Sequence, residues 1–232
     1  MTSPVWDPQQ YLRFADERTR PLRERWPGAR ITGIDNSAEM LDAARREGEP
    51  GADYLLADAG DYDPAGAAPD AIVSNATLQW IPGHLGLLPR WAGALRAGGV
   101  IAFQVPGNFG APSHLALAEL RRSPRWRGLL GADATRAGVH EPGVYLDALT
   151  RAGCAADVWE TTYSTLLTGP DPVLEWVKGT ALRPVLTRLT DGAERSAFLA
   201  EYGALLREAY PAGPHGTVFP FRRIFAVGVK QV

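Results

Sequence analysis

Cysteine occurs once in the chain, at Cys154, so no internal disulfide can form. The four histidines are scattered, and no Cys/His cluster offers a closed zinc site, so no metal is expected. Lysine is almost as scarce: of 24 basic residues only Lys178 and Lys230 are lysine, a bias that reads as a GC-rich coding sequence. Against 26 acidic residues the net charge is −2, without the basic footprint that duplex nucleic acid demands. No apolar run approaches the roughly 20 residues that span a bilayer; the longest, Gly99 to Phe103, is strand-sized. The opening Met1-Thr2-Ser3-Pro4-Val5-Trp6-Asp7-Pro8 lacks a basic segment followed by an apolar one. A cytoplasmic protein with no nucleic-acid or membrane partner is expected.

What is present is ordinary globular composition, 45 % apolar and 22 % charged over 232 residues. No repeat, low-complexity block or linker divides it, so a single domain over residues 1–232 is expected. From Ala29 onward, short β-rich runs alternate with longer amphipathic stretches, the pattern of an α/β fold with a mostly parallel sheet. Strands are predicted at Arg30–Asp35, Tyr54–Asp58, Asp70–Asn75, Val100–Val105, Ala156–Leu167 and Phe221–Val229. Helices are predicted at Ser37–Arg46, Leu85–Leu95, Ser113–Arg122, Val144–Arg151, Pro172–Lys178 and Ala193–Ala209.

In open α/β sheets, ligands sit beyond the carboxyl ends of the strands. Asp35 ends the first predicted strand, where a carboxylate can accept both hydroxyls of a ribose; the same position also suits a turn aspartate capping the next helix. Asp58 ends the second, and could accept from an adenine amino group or serve as a loop acid. Ser74-Asn75-Ala76-Thr77-Leu78-Gln79-Trp80 leaves the third with small and amide side chains and an aromatic. Nothing in the chain forms a convincing Ser/His/Asp set.

Asp35, Asp58, Asn75 with Gln79-Trp80, and the Gly98-Gly99 entry to a strand resemble the cofactor-side motifs of class I S-adenosylmethionine-dependent methyltransferases. Within that superfamily, the segment from Trp6-Asp7-Pro8 through Tyr11-Leu12-Arg13-Phe14 to Arg20-Pro21 resembles the trans-aconitate 2-methyltransferase family. So do Arg25-Trp26-Pro27, Ala152-Gly153-Cys154, Leu182-Arg183-Pro184 and Arg223-Ile224-Phe225, nearly end to end. The resemblance implies a Rossmann-like three-layer sandwich with a helical substrate cap near residues 107–150 and 168–216. It implies S-adenosylmethionine as cofactor, held by Asp35, Asn36, Met40, Asp58, Ala59, Asn75 and Gln79. It implies a small tricarboxylate substrate met by Trp80, His140, Tyr145, Arg183 and Arg223, and a monomer or weak homodimer. Arg222 is the neighbouring alternative to Arg223 and, by strand alternation, faces the other way.

The implied reaction, methyl transfer to a carboxylate of trans-aconitate, needs no catalytic side chain. Such an acid is ionised at pH 7, and the site has only to position it and exclude water. One departure stands out. Pro21 is followed at once by Leu22-Arg23-Glu24-Arg25-Trp26, where the family carries its first strand, a glycine-rich loop and most of a helix. Either that stretch is missing from the sequence as read, which a packed sheet favours, or the chain is shortened and cofactor binding impaired. A different methyl acceptor and a non-catalytic remnant are the alternative functions.

Overall fold

In the computed structural model, residues 24–47, 51–131 and 138–231 are described. They fall into two compact units that meet in sequence between Tyr62 and Asp63. The first unit is a βαβ motif: β1 (Ile31–Asp35), α1 (Ala38–Glu47) and β2 (Ala52–Leu56). The two strands pair in parallel, Ile31 opposite Ala52 and Asp35 opposite Leu56. Ser37 caps α1: its Oγ accepts the Met40 N–H at 3.3 Å, satisfying one of the helix's orphan donors.

The second unit opens with β3 (Ala71–Asn75), α2 (Leu87–Ala94) and β4 (Val100–Pro106). It continues through α3 (Pro112–Arg122), α4 (Arg127–Leu130) and α5 (Pro142–Arg151) to the long strand β5 (Cys154–Leu167). After α6 (Pro172–Lys178), α7 (Arg183–Arg188) and α8 (Gly192–Ala209), the chain closes on β6 (Ala212–Gly213) and β7 (Gly216–Lys230). The main sheet runs β3-β4-β7-β5, with β6 paired to β7. β3 and β4 are parallel, and β7 is antiparallel to both β4 and β5. Among the described residues, β1 has one neighbour, β2, and β3 has one, β4.

Two apolar cores hold this unit. Leu78, Leu88, Trp91, Ile101, Val105, Tyr145, Leu149 and Ile224 pack α2 and α5 on one face of the sheet. Trp126, Leu182, Val185, Phe198, Tyr202 and Phe219 form a second cluster in the helical layer built from α3, α4 and α6 to α8. Trp126 meets Phe198 edge to face, centroids 5.1 Å apart. Two tyrosines of the α8 region close the start of α3: the Tyr202 hydroxyl donates to the Ser113 carbonyl at 2.9 Å, and the Ser113 N–H donates to the Tyr210 hydroxyl at 3.1 Å. The tight turn into β4 needs its glycines. Gly98 has φ +75°, and a Cβ on Gly99 would lie 2.8 Å from the Arg96 carbonyl.

The predicted strands and helices all form, with shifted ends. β7 begins at Gly216, five residues before the predicted start at Phe221. Gly216 and Pro220 break the sequence pattern, yet both pair with the neighbouring strand. α4 and α7, of four and six residues, show too little periodicity to be anticipated. The predicted break between Pro21 and Leu22, and the Tyr11 and Phe14 segment, lie outside the described residues.

Candidate functional site

In the first unit, Asp35 is the last residue of β1 and Asp58 follows β2 by two residues, both at the carboxyl ends of parallel strands. Asp35 Oδ1 accepts the Ser37 N–H at 2.8 Å, and among the described residues Oδ2 has no partner. Asp58 Oδ1 accepts the Gly60 N–H at 2.7 Å, while Oδ2 accepts from Asn36 Nδ2 at 3.3 Å. Each carboxylate therefore shapes its own turn, and Asn36 links the two loops. Asn36 and Asp58 are exposed; Met40 and Ala59 are half-buried beside them in sequence.

In the second unit, β3 ends at the exposed Asn75, and Ala76 follows in the left-handed region at φ +51°. That conformation is costly for a residue with a Cβ, and the surroundings fix it: the Ala76 N–H donates to the Gln104 carbonyl at 2.9 Å. Gln79 Nε2 donates to the Ala76 carbonyl at 2.7 Å. Gln79, expected to bind cofactor, is buried and committed to this turn. Trp80, next in sequence, is 45 % exposed.

Tyr145, expected at the substrate, is fully buried. Its hydroxyl is engaged by His84 Nε2 at 2.9 Å and accepts the His140 N–H at 3.2 Å. It acts inside the fold, pinning the segment that leads into α5. The His140 ring is half-buried, its centroid 5.4 Å from that of His84. Arg183 opens α7 in the helical layer and is half-buried. Arg223 lies over the rings of Phe221 and Tyr163, at 5.4 and 5.6 Å from their centroids.

Arg222 points the opposite way, as alternation along β7 requires, into a cavity of about 370 Å³. Its walls include Asn108, Phe109, Glu141, Thr162, Pro220 and Arg222, so neither Arg183 nor Arg223 lines it. Arg222 Nη1 and Nη2 reach the two oxygens of Glu141 at 3.2 and 2.5 Å, and Nε donates to Glu160 Oε2 at 3.0 Å. The guanidinium holds the Glu141 carboxyl below its ordinary pKa. Among the described residues no group of His, Cys, Asp and Glu is placed to hold a metal, and no helix is long and apolar enough to cross a membrane.

Residues 16–103 match the family profile of a methyltransferase domain. A trans-aconitate 2-methyltransferase of Streptomyces avermitilis is 52 % identical over 266 positions that cover 98 % of each chain. The chain belongs to the trans-aconitate 2-methyltransferase family. Another relative of that name, from Streptomyces coelicolor, is 49 % identical over 99 % of this chain and 88 % of its own. One from Mycobacterium tuberculosis is 40 % identical over 96 % of each.

Among solved structures, the YcgJ protein of Bacillus subtilis aligns with a TM-score of 0.53 at 11 % identity, covering 89 % of this chain and 85 % of its own. A phosphoethanolamine N-methyltransferase of Haemonchus contortus aligns with a TM-score of 0.50 at 15 % identity, over 92 % of this chain and 46 % of its own. The fold is that of the α/β class I methyltransferases. The first alignment runs over 266 positions, more than the 232 residues present here, so the S. avermitilis family member carries residues without a counterpart in this chain. Among the described residues, no glycine-rich loop follows β1 or β3, whose turns read Asn36-Ser37 and Ala76-Thr77.

His84, Glu141 and Glu160 carry no signal of their place in the sequence. His84 lies in a short helical turn with no periodic signal, and the two glutamates gain meaning only once β5, β7 and α5 converge on Arg222. The Arg222-Arg223 pair was the usable signal, because alternation guarantees that one of them faces each side of the sheet.

Proposed function

We propose that the chain transfers the methyl group of S-adenosylmethionine to a carboxylate of trans-aconitate, giving the monomethyl ester and S-adenosylhomocysteine. The observation that carries this reading is 40–52 % identity, along nearly the whole chain, to proteins named for that activity. The donor set of the first unit suits the cofactor. Asp35 offers an oxygen to a ribose hydroxyl after its own turn is satisfied, and Asp58 with Asn36 presents a polar edge of the kind an adenine amino group pairs with. Met40 and Ala59 are assigned to the same end. In the second unit Asn75 is the amide open to a ligand, while Gln79 holds the Ala76 turn beside it.

S-adenosylmethionine, when bound, supplies an electrophilic methyl carbon. The residues of the chain then have a limited task. A carboxylate with a pKa near 4 is ionised at neutral pH and needs no general base. Holding it in line and excluding water can supply roughly 7–11 kcal/mol of the barrier reduction. Trp80, with its exposed ring, and His140 are assigned to the substrate side; of the arginine forks, which match carboxylates, Arg222 lines a cavity and Arg183 and Arg223 do not.

The test is incubation of the purified chain with labelled S-adenosylmethionine and trans-aconitate, with the ester identified by mass. S-adenosylhomocysteine binding is measured in parallel by calorimetry. Ester formation supports the reading; transfer to a different acceptor only would overturn the substrate. A second reading is favoured by the residues that the S. avermitilis relative has and this chain does not. On that account, the chain keeps the family's fold without the cofactor's glycine cradle, and a folded sample binds no S-adenosylhomocysteine.

A further inference from the structure

The Arg222 fork at the cavity already holds one of the chain's own carboxylates, that of Glu141. The Arg222 backbone is fixed on both sides: its N–H donates to Asn108 Oδ1 at 2.8 Å, and its carbonyl accepts the Gly107 N–H at 2.9 Å. Ala111 and Glu141, both at the wall, are the residues immediately before α3 and α5, so the positive ends of two helix dipoles face the same space. Asn108 is 4 % exposed, and its Nδ2 is buried without a hydrogen-bond partner. A buried donor of this kind is costly unless something accepts from it.

The charges decide what can enter. Arg222 already carries two carboxylates, Glu141 in a two-pronged contact and Glu160 on the other edge of the guanidinium. The side chain of Glu141 is 73 % exposed, against 26 % for Arg222, so Glu141 can leave the fork for water at little cost while Arg222 stays. An incoming carboxylate then replaces Glu141 like for like: the same fork, the same charge, the same planar fit.

Resting on the reading above, we infer that Arg222 and Asn108 seat one carboxylate of the tricarboxylate substrate, and that Glu141 is a resident stand-in which the substrate displaces. Glu141 thereby sets specificity as well as affinity, because a ligand gains from the seat only if it brings a carboxylate that binds the fork better than Glu141 does.

The test is a calorimetric titration of trans-aconitate into the chain saturated with S-adenosylhomocysteine, which has no methyl group to give. Glu141→Gln should tighten trans-aconitate three- to tenfold by weakening the competitor. Arg222→Gln should weaken it at least tenfold, and Arg222→Lys, which keeps charge and stem but not the fork, should do the same if the glutamine variant does not fold. S-adenosylhomocysteine affinity should stay within twofold in all three variants. Unchanged trans-aconitate affinity in both Arg222 variants would overturn the seat. Weaker binding in Glu141→Gln would overturn the displacement. A wild-type chain that binds S-adenosylhomocysteine but no trans-aconitate overturns the substrate assignment and this proposal together, whereas binding of neither also removes the cofactor reading.

Discussion

The Tyr145 hydroxyl lies 2.9 Å from Nε2 of His84 while accepting the N–H of His140 at 3.2 Å. The Ile81 carbonyl, 3.3 Å from His84 Nδ1, can only accept, so in the neutral ring Nδ1 donates to it and Nε2 accepts the phenol proton. The arrangement selects the neutral imidazole with its proton on Nδ1. Burial, aided by the neighbouring His140, holds the His84 pKa below its ordinary value. One hydroxyl thus ties the turn after Trp80 to the start of α5.

Tyr145→Phe removes that junction and leaves both His84 Nε2 and the His140 N–H unpaired. A loss of about 1–3 kcal/mol of stability is expected, read as a lower midpoint in urea with an unchanged slope. A midpoint equal to wild type would show that the junction contributes nothing.

Mild acid should weaken the fold. The folded pKa of His84 lies below the unfolded value near 6.5, so the unfolded chain takes up the proton first. The stability due to His84 is full above about pH 6.5 and declines as the pH falls through that value. His114, also lowered by burial, contributes with the same sign. Urea midpoints at pH 7.5 and 5.5 should therefore differ for wild type, and differ less for His84→Gln; equal wild-type midpoints would contradict the assignment.

Asp191 caps α8, its Oδ1 accepting the N–H groups of both Ala193 and Glu194 at 2.9 Å. Asp191→Ala should cost about 0.5–2 kcal/mol and Asp191→Asn much less. Thermal unfolding of the two variants side by side checks the order.

Asp35→Asn keeps an oxygen for the Ser37 N–H and loses the charge offered to the ribose. Its melting temperature should match wild type while S-adenosylhomocysteine binds about tenfold more weakly, a difference of roughly 1.4 kcal/mol. Unaltered affinity would make Asp35 a turn residue alone.

Cys154, the single cysteine, is buried, and burial pushes its thiol pKa up. The native chain at pH 8 should react with a thiol reagent only as fast as it opens. A fast, stoichiometric reaction in the absence of denaturant would contradict the packing of β5 against α5.

Much of this was legible beforehand, for local reasons. Period and punctuation located β1 to β4 and α8, and Gly98-Gly99 marked the entry to β4. Pro112 and Pro142 open their helices, where the apolar pattern alone placed the starts one and two residues late. The site was less legible. Tyr145 carries a polar tip that reads equally as a ligand for substrate or as a partner inside the fold, and only burial tells them apart. Arg222 and Arg223 are chemically identical neighbours; alternation separates their faces, but which face holds the cavity depends on where Asn108 and Glu141 arrive from more than eighty residues away in sequence.

Among the described residues, β1 and β3 each pair on one side only, and Val73 in β3 is 53 % exposed. Backbone donors and acceptors along such a margin, next to an apolar side chain, invite a strand from another molecule. Whichever strand comes to lie along such a margin, from elsewhere in the chain or from a second molecule, meets a complete row of donors and acceptors at once.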